Sequence, residues 1–139
     1  MAPLAERMAS AASVARDRRI LVTDVERQLD TRYTIDTLEA LKSCFPDKRF
    51  VWIMGADNLL QFPRWKGWRR LFETVPIAIF DRAPYSTKAL AGHAAKVFES
   101  SRYADRTAHR LADSTPPAWA FFHTPLHPAS ASDIRAEQM

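Results

Sequence analysis

The stretch Phe50-Val51-Trp52-Ile53-Met54-Gly55-Ala56-Asp57-Asn58, followed by Phe62-Pro63-Arg64-Trp65, decides the fold. Residues 49–54 are apolar almost throughout. That predicts a strand buried on both faces, as a parallel sheet demands. A glycine and an aspartate follow at once, then a short helical segment ending in an aromatic-rich turn. An α/β protein presents groups to a nucleotide in this way, at the carboxyl end of a strand. A glycine-rich phosphate loop is absent, since Gly55, Gly67 and Gly92 stand far apart.

Outward from this stretch the chain alternates helix and strand. Leu4, Met8, Ala11, Ala12 and Ala15 fall on one face of an N-terminal helix. Arg16, Arg18 and Arg19 gather where its negative dipole end would lie. Residues 19–24 read as a short strand. Thr34 opens a helix as a cap, with Asp36 in the first turn, Tyr33 and Leu38 as a hydrophobic staple, and Pro46 as the stop. Residues 68–73 read as a short helix, 75–80 as a strand and 87–100 as a helix. Residues 101–117 read as irregular, and 118–122 as a last strand. Ser130-Ala131-Ser132-Asp133-Ile134-Arg135 opens a further helix. The alternation predicts one α/β domain over residues 1–139, a parallel sheet with crossover helices.

The bulk properties exclude several classes. A chain of 139 residues with 47% hydrophobic and 26% charged content is globular rather than disordered. No run approaches the ~18 apolar residues of a membrane span, and the N-terminus lacks a signal peptide's apolar core. Cys44 is alone, so no internal disulfide forms; it reads as a small buried apolar group and fits a reducing cytoplasm. A net charge of +4 suits phosphorylated ligands without requiring them. Trp65 and Trp68 form the only close aromatic–basic cluster and no recognised module appears, which argues against nucleic-acid binding.

Several residues could carry chemistry, and each has a plain alternative. Gly55 would let a ligand approach the backbone, and Asp57 would accept ribose hydroxyls; alternatively Asp57 caps a helix. Trp65 and Trp68, beside Arg64, Lys66, Arg69 and Arg70, would stack on a heterocycle and answer phosphates, or serve as core with a basic rim. Arg82 reads as a phosphate contact or a surface arginine. Ser130, Ser132 and Arg135 form an anion site at a helix start, or an ordinary cap. His123 and His127 stand four apart, but Pro125 and Pro128 interrupt any helix there, so a metal site is not expected. Neither a Ser/His/Asp nor a Cys/His arrangement can be proposed for His93, His109, His123 or His127.

Five segments occur in the order found in bacterial nicotinate-nucleotide adenylyltransferases. They are Tyr33-Thr34-Ile35-Asp36-Thr37-Leu38, Ile53-Met54-Gly55-Ala56-Asp57-Asn58, Phe62-Pro63-Arg64-Trp65, Phe80-Asp81-Arg82-Ala83-Pro84 and residues 130–135. The chain resembles that family along nearly its whole length. The resemblance implies a Rossmann-like nucleotidyltransferase fold, with helices on both faces of the sheet. It also implies transfer of the adenylyl group of ATP, with Mg²⁺, to nicotinate mononucleotide in NAD biosynthesis. Trp65 would stack on the nicotinate ring, and the backbone at Thr34 and Lys66 would bind its carboxylate. Gly55 and Asp57 would hold adenosine, Arg82 would line the cleft, and Ser130, Ser132 and Arg135 would hold the phosphates. ATP and the mononucleotide are the expected partners, with neither nucleic acid nor membrane among them.

One departure is large. The family opens with a strand, a Gly-Gly-x-Phe-(Asp/Asn)-Pro-x-His-x-Gly-His loop and a helix, and nothing here matches that signature. No histidine takes over its role, so no catalytic residue is assigned. The expectation is a domain missing its first strand-loop-helix, inactive and poorly soluble on its own. The alternative function is a non-catalytic nucleotide-binding remnant or regulatory module.

Overall fold

Three short strands, β1 (Trp52–Gly55), β2 (Ile77–Phe80) and β3 (Trp119–Phe122), form a parallel sheet in the order β1-β2-β3. This computed structural model describes residues 1–124. The register aligns Gly55 with Phe80 and Phe80 with Phe122, so the three carboxyl ends lie level along one edge. Between the strands run α4 (Ala56–Gln61), α5 (Trp68–Thr74), α6 (Ser86–Leu90) and α7 (His93–Val97). Before the sheet come α1 (Leu4–Val14), α2 (Val25–Gln28) and α3 (Thr34–Cys44).

Side chains alternate across the strands, so the sheet has two inner faces. One face carries Met54, Ile77, Ile79, Trp119 and Phe121, packed against Ile35, Leu38, Leu59, Phe62, Leu71, Phe72 and Phe98. The Phe72 and Phe98 rings stack at 4.2 Å, and the indole N–H of Trp119 donates to the carbonyl of Phe98 at 2.7 Å. The other face carries Ala78 and Ala120, covered by Ala108 and Leu111. Small residues there admit a 3₁₀ run, Asp105–Asp113, close against the sheet. The parallel sheet with cover on both faces is therefore as the pattern predicts. β1 pairs only with β2 among the described residues, and Ile53 beside its free edge is 63% exposed.

Local differences have local causes. Residues 19–24 form no strand. The Asp17 carboxylate takes bonds from the backbone N–H and guanidinium of Arg19, which bends the chain, and Ile20 and Leu21 stay exposed. Arg16, Arg18 and Arg19 lie beyond the end of α1 rather than in its last turn. The strand expected over 49–54 is shorter and displaced by one residue, running to Gly55. Thr34 is the first residue of α3, not its cap; the cap is Tyr33, with no side-chain bond. The Tyr33 ring is exposed rather than stapled to Leu38. Thr37 instead donates to the Tyr33 carbonyl, at 3.2 Å. The single helix expected over 87–100 is two, broken at Gly92, whose backbone is extended. The run Asp105–Asp113 is helical where irregular chain was expected, and Cys44 is exposed rather than buried. Residues 130–135, with Ser130, Ser132 and Arg135, lie outside the described residues.

Candidate functional site

Two groups of predicted residues form, each around a glycine. At the carboxyl edge of the sheet, β1 ends at Gly55, which is the cap of α4. The Asp57 side chain folds back over it. A Cβ at residue 55 would lie 2.7 Å from Asp57 Oδ1 and 3.4 Å from Arg82 Cδ, so a larger residue there would displace the Asp57 carboxylate. Arg82 Nη1 stands 3.7 Å from Asp57 Oδ2, a loose pair between part-exposed groups. Asp57 Oδ1 is buried with no hydrogen-bond partner among the described residues. The capping role is not seen: no side-chain cap bond is made at the start of α4. A buried carboxylate oxygen without a donor is an acceptor waiting for one.

The loop that carries Arg82 is tied down beside it. Ser86 Oγ donates to Asp81 and accepts from the Arg82 backbone N–H. Asp81 Oδ2 lies 3.9 Å from His123 Nδ1, at the end of β3. Asp81 and His123 thus share the edge with Gly55, Asp57 and Arg82, a pairing that no local pattern in the chain announces.

The second group surrounds a cavity of about 270 Å³ lined by Arg32, Tyr33, Thr34, Arg64, Trp65 and Lys66. Arg32, Tyr33 and Thr34 come from the start of α3; Arg64, Trp65 and Lys66 come from the turn after α4. Sequence reasoning named Thr34, Trp65 and Lys66 for one site, and they do meet. Gly67 explains how. It adopts the left-handed conformation, φ 62°, which costs a side chain ~1–2 kcal/mol. It also sits against Ile35, so a Cβ there would be 3.3 Å from Ile35 Cγ2. This contact lays the Arg64–Gly67 turn on the first turn of α3. Trp65 rests on buried Phe62, with ring centroids 4.9 Å apart, and meets Trp52 edge-on. Trp68 plays the other part: it packs edge-on against Phe72, His93 and Phe98 and lines no part of this cavity.

A larger cavity, about 580 Å³, is lined by α1, α3 and Trp52 among others and contains none of the predicted site residues. Among the described residues, no group of three or more His, Cys, Asp and Glu side chains could hold a metal ion. No helix of the described residues is long and apolar enough to cross a membrane.

Residues 1–137 match the cytidylyltransferase-like family. A relative from Parvibaculum lavamentivorans is 47% identical over 135 residues, which are 97% of this chain and 67% of that protein. A Caulobacter relative is 43% identical over 136 residues, 98% of this chain and 72% of its own length. Both bear the name "Probable nicotinate-nucleotide adenylyltransferase". The chain belongs to the nicotinate-nucleotide adenylyltransferase family. A relative from Gluconacetobacter diazotrophicus with the same name is 45% identical over 139 residues, and the chain spans 65% of its length. Among solved structures, Plasmodium falciparum nicotinic acid mononucleotide adenylyltransferase complexed with APC superposes with a TM-score of 0.63 at 15% identity, over 98% of this chain and 62% of that one. That likeness shows the fold: the Rossmann-like nucleotidyltransferase architecture expected from the motifs.

Proposed function

We propose that the chain carries the mononucleotide and adenosine surfaces of an enzyme transferring the adenylyl group of ATP to nicotinate mononucleotide. The products are nicotinate adenine dinucleotide and pyrophosphate. The observation that carries this reading is the meeting of Thr34, Trp65 and Lys66 around one cavity. The pyridine ring stacks on Trp65, and backbone N–H groups at Thr34 and Lys66 bind its carboxylate. Gly55 admits the adenosine ribose, whose hydroxyl donates to the unpartnered oxygen of Asp57. Arg82 faces the nucleotide cleft, and Ser130, Ser132 and Arg135 take the phosphates.

In the reaction a phosphate oxygen of the mononucleotide attacks the α-phosphorus of ATP. The bond from that phosphorus to the bridging oxygen breaks, and pyrophosphate leaves with it. Positioning and charge neutralisation carry such a transfer, and no protein nucleophile is required. Mg²⁺ enters as the MgATP substrate, on its phosphates. The setting is the cytoplasm.

The test is equilibrium titration of the chain with nicotinate mononucleotide and with MgATP, followed by a pyrophosphate-release assay with both. Binding of the mononucleotide that Trp65→Ala weakens by about tenfold supports the ring site. Binding of both ligands without pyrophosphate release would leave a nucleotide-binding module without chemistry. If neither ligand binds, the reading fails.

A further inference from the structure

The turn that carries Arg82 is built around one hydroxyl. We infer that Ser86 is a positioning residue for the nucleotide: through the Arg82 backbone it presents the guanidinium to a phosphate group of MgATP. This rests on the reading that Arg82 faces the nucleotide cleft.

Ser86 is the first residue of α6. Its Oγ accepts from the Arg82 backbone N–H at 3.2 Å and donates to Asp81 Oδ1. A carboxylate only accepts, so Asp81 fixes which way the hydroxyl hydrogen points and leaves a lone pair for Arg82. The Arg82 carbonyl accepts from the Tyr85 N–H at 2.8 Å. Both backbone polar groups of Arg82 are thus held by the start of α6. That helix is itself anchored, since Ala89 is fully buried in the core. Asp81 is tied in turn to β3, its N–H donating to the Phe122 carbonyl at 3.0 Å. Its other carboxylate oxygen is 3.9 Å from His123 Nδ1, beyond hydrogen-bond reach, so Ser86 is the nearer hold.

The guanidinium end is held differently. Arg82 Cδ lies 3.4 Å from where a Cβ on Gly55 would stand, and Nη1 is 3.7 Å from Asp57 Oδ2. The Arg82 side chain is 47% exposed, and a pair of that kind is weak. It does not by itself hold a long side chain with many rotamers in one place. The fixed backbone directs the arginine across the carboxyl edge. The loose pair lets its guanidinium turn from Asp57 to a phosphate at little loss. Arginine suits that exchange, because its planar fork takes carboxylate and phosphate oxygens alike. In the sequence Ser86 is one polar residue ahead of a helix; Asp81 and the Arg82 N–H give it a place.

The experiment is calorimetric titration of the chain, and of its Ser86→Ala, Ser86→Thr and Arg82→Met variants and the Ser86→Ala, Arg82→Met double variant, with MgATP and with nicotinate mononucleotide. Ser86→Ala should weaken MgATP binding by about fivefold, as loss of one neutral hydrogen bond implies. It should leave mononucleotide affinity unchanged, which also shows that the variant is folded. Ser86→Thr keeps the hydroxyl and should keep the affinity. In the Arg82→Met background Ser86→Ala should lower affinity no further, because a residue acting through Arg82 has nothing left to position. Wild-type MgATP affinity in Ser86→Ala overturns the inference while leaving Arg82 at the cleft. So does a loss of full size in the Arg82→Met background, since Ser86 would then act by another route. Equal losses of both ligands in Ser86→Ala overturn it too, because Ser86 would hold the fold rather than the arginine. Failure of the wild type to bind MgATP, or unchanged MgATP affinity in Arg82→Met, overturns the nucleotide reading itself, and the inference falls with it.

Discussion

The cavity at Trp65 and the sheet edge at Gly55, the proposed ring and adenosine sites, are built by opposite means. Around the cavity, Thr34, Trp65 and Lys66 are held by buried neighbours: Phe62 supports Trp65, and Ile35 sits against Gly67. At the sheet edge, Gly55 is covered by Asp57 and Arg82, joined by a part-exposed pair at 3.7 Å. One region is preformed and open. The other is filled by its own side chains, with a buried carboxylate oxygen lacking a donor among the described residues. A site resting on packed core resists change and loses shape when the core is cut. A site resting on an exposed ion pair rearranges readily, since such pairs contribute only ~0–1 kcal/mol.

The hardest test of this contrast cuts the support. Phe62 is fully buried and touches both Trp65 and Phe72. Phe62→Ala should destabilise the chain by ~3–5 kcal/mol, the usual range for a buried phenylalanine. Urea denaturation followed by tryptophan fluorescence measures it. If the variant kept its stability and its ring binding, the cavity would not depend on the core as described.

Next comes the hinge of the cavity. Gly67→Ala forces an alanine into the left-handed region and crowds Ile35, and should cost ~1–2 kcal/mol. The effect should divide unevenly. Mononucleotide affinity should fall with stability, while affinity for MgATP should change far less. Equal losses at both sites would break the comparison.

Legibility in the sequence follows the same division. A strand leading into Gly55 was readable, over 49–54 rather than the observed Trp52–Gly55, because apolar runs and strand-end glycines report local physics. The meeting of Thr34 with Trp65 and Lys66 was readable only through the order of motifs, since no local rule joins residues some thirty positions apart. What stayed hidden were tertiary contacts. Gly67 looks like any turn glycine until Ile35 is placed against it. Gly92 splits a helix that Leu90, Ala94, Val97 and Phe98 make look continuous. Ile20 and Leu21 read as a strand because their residue types favour one, but a strand needs a partner and Asp17 bends the chain first. Cys44 looked like core because it lies in a helical pattern, yet its turn faces outward at the helix end.

The edge offers a smaller effect of a different kind. Arg82→Met removes the pair with Asp57 and should change stability by less than ~1 kcal/mol. Binding should respond more than folding. MgATP affinity should fall, because the cation at the cleft is gone, while mononucleotide affinity holds. Calorimetric titration of both ligands checks this. A loss confined to the mononucleotide would place Arg82 with the wrong region.

The smallest effect belongs to a segment outside both regions and serves as their control. Asp17 is held below its ordinary value of 3.8, first by the Arg19 side chain and then by the Arg19 backbone N–H. A depressed carboxylate stabilises the folded turn above the unfolded value, and that contribution is lost as pH falls through the folded value. Below 3.8, therefore, the turn at 17–20 should loosen as Asp17 takes up its proton. Arg19→Gln should raise the Asp17 titration midpoint toward the ordinary value, read by carboxyl carbon shifts in NMR. The group is fully exposed, so the shift should stay local. The indole resonances of Trp65 and Trp119 should be the same in Arg19→Gln as in the wild type at every pH. Movement of those indoles with Asp17 would mean that the N-terminal segment bears on the ring cavity, and the cavity would then no longer rest on Phe62 and Ile35 alone.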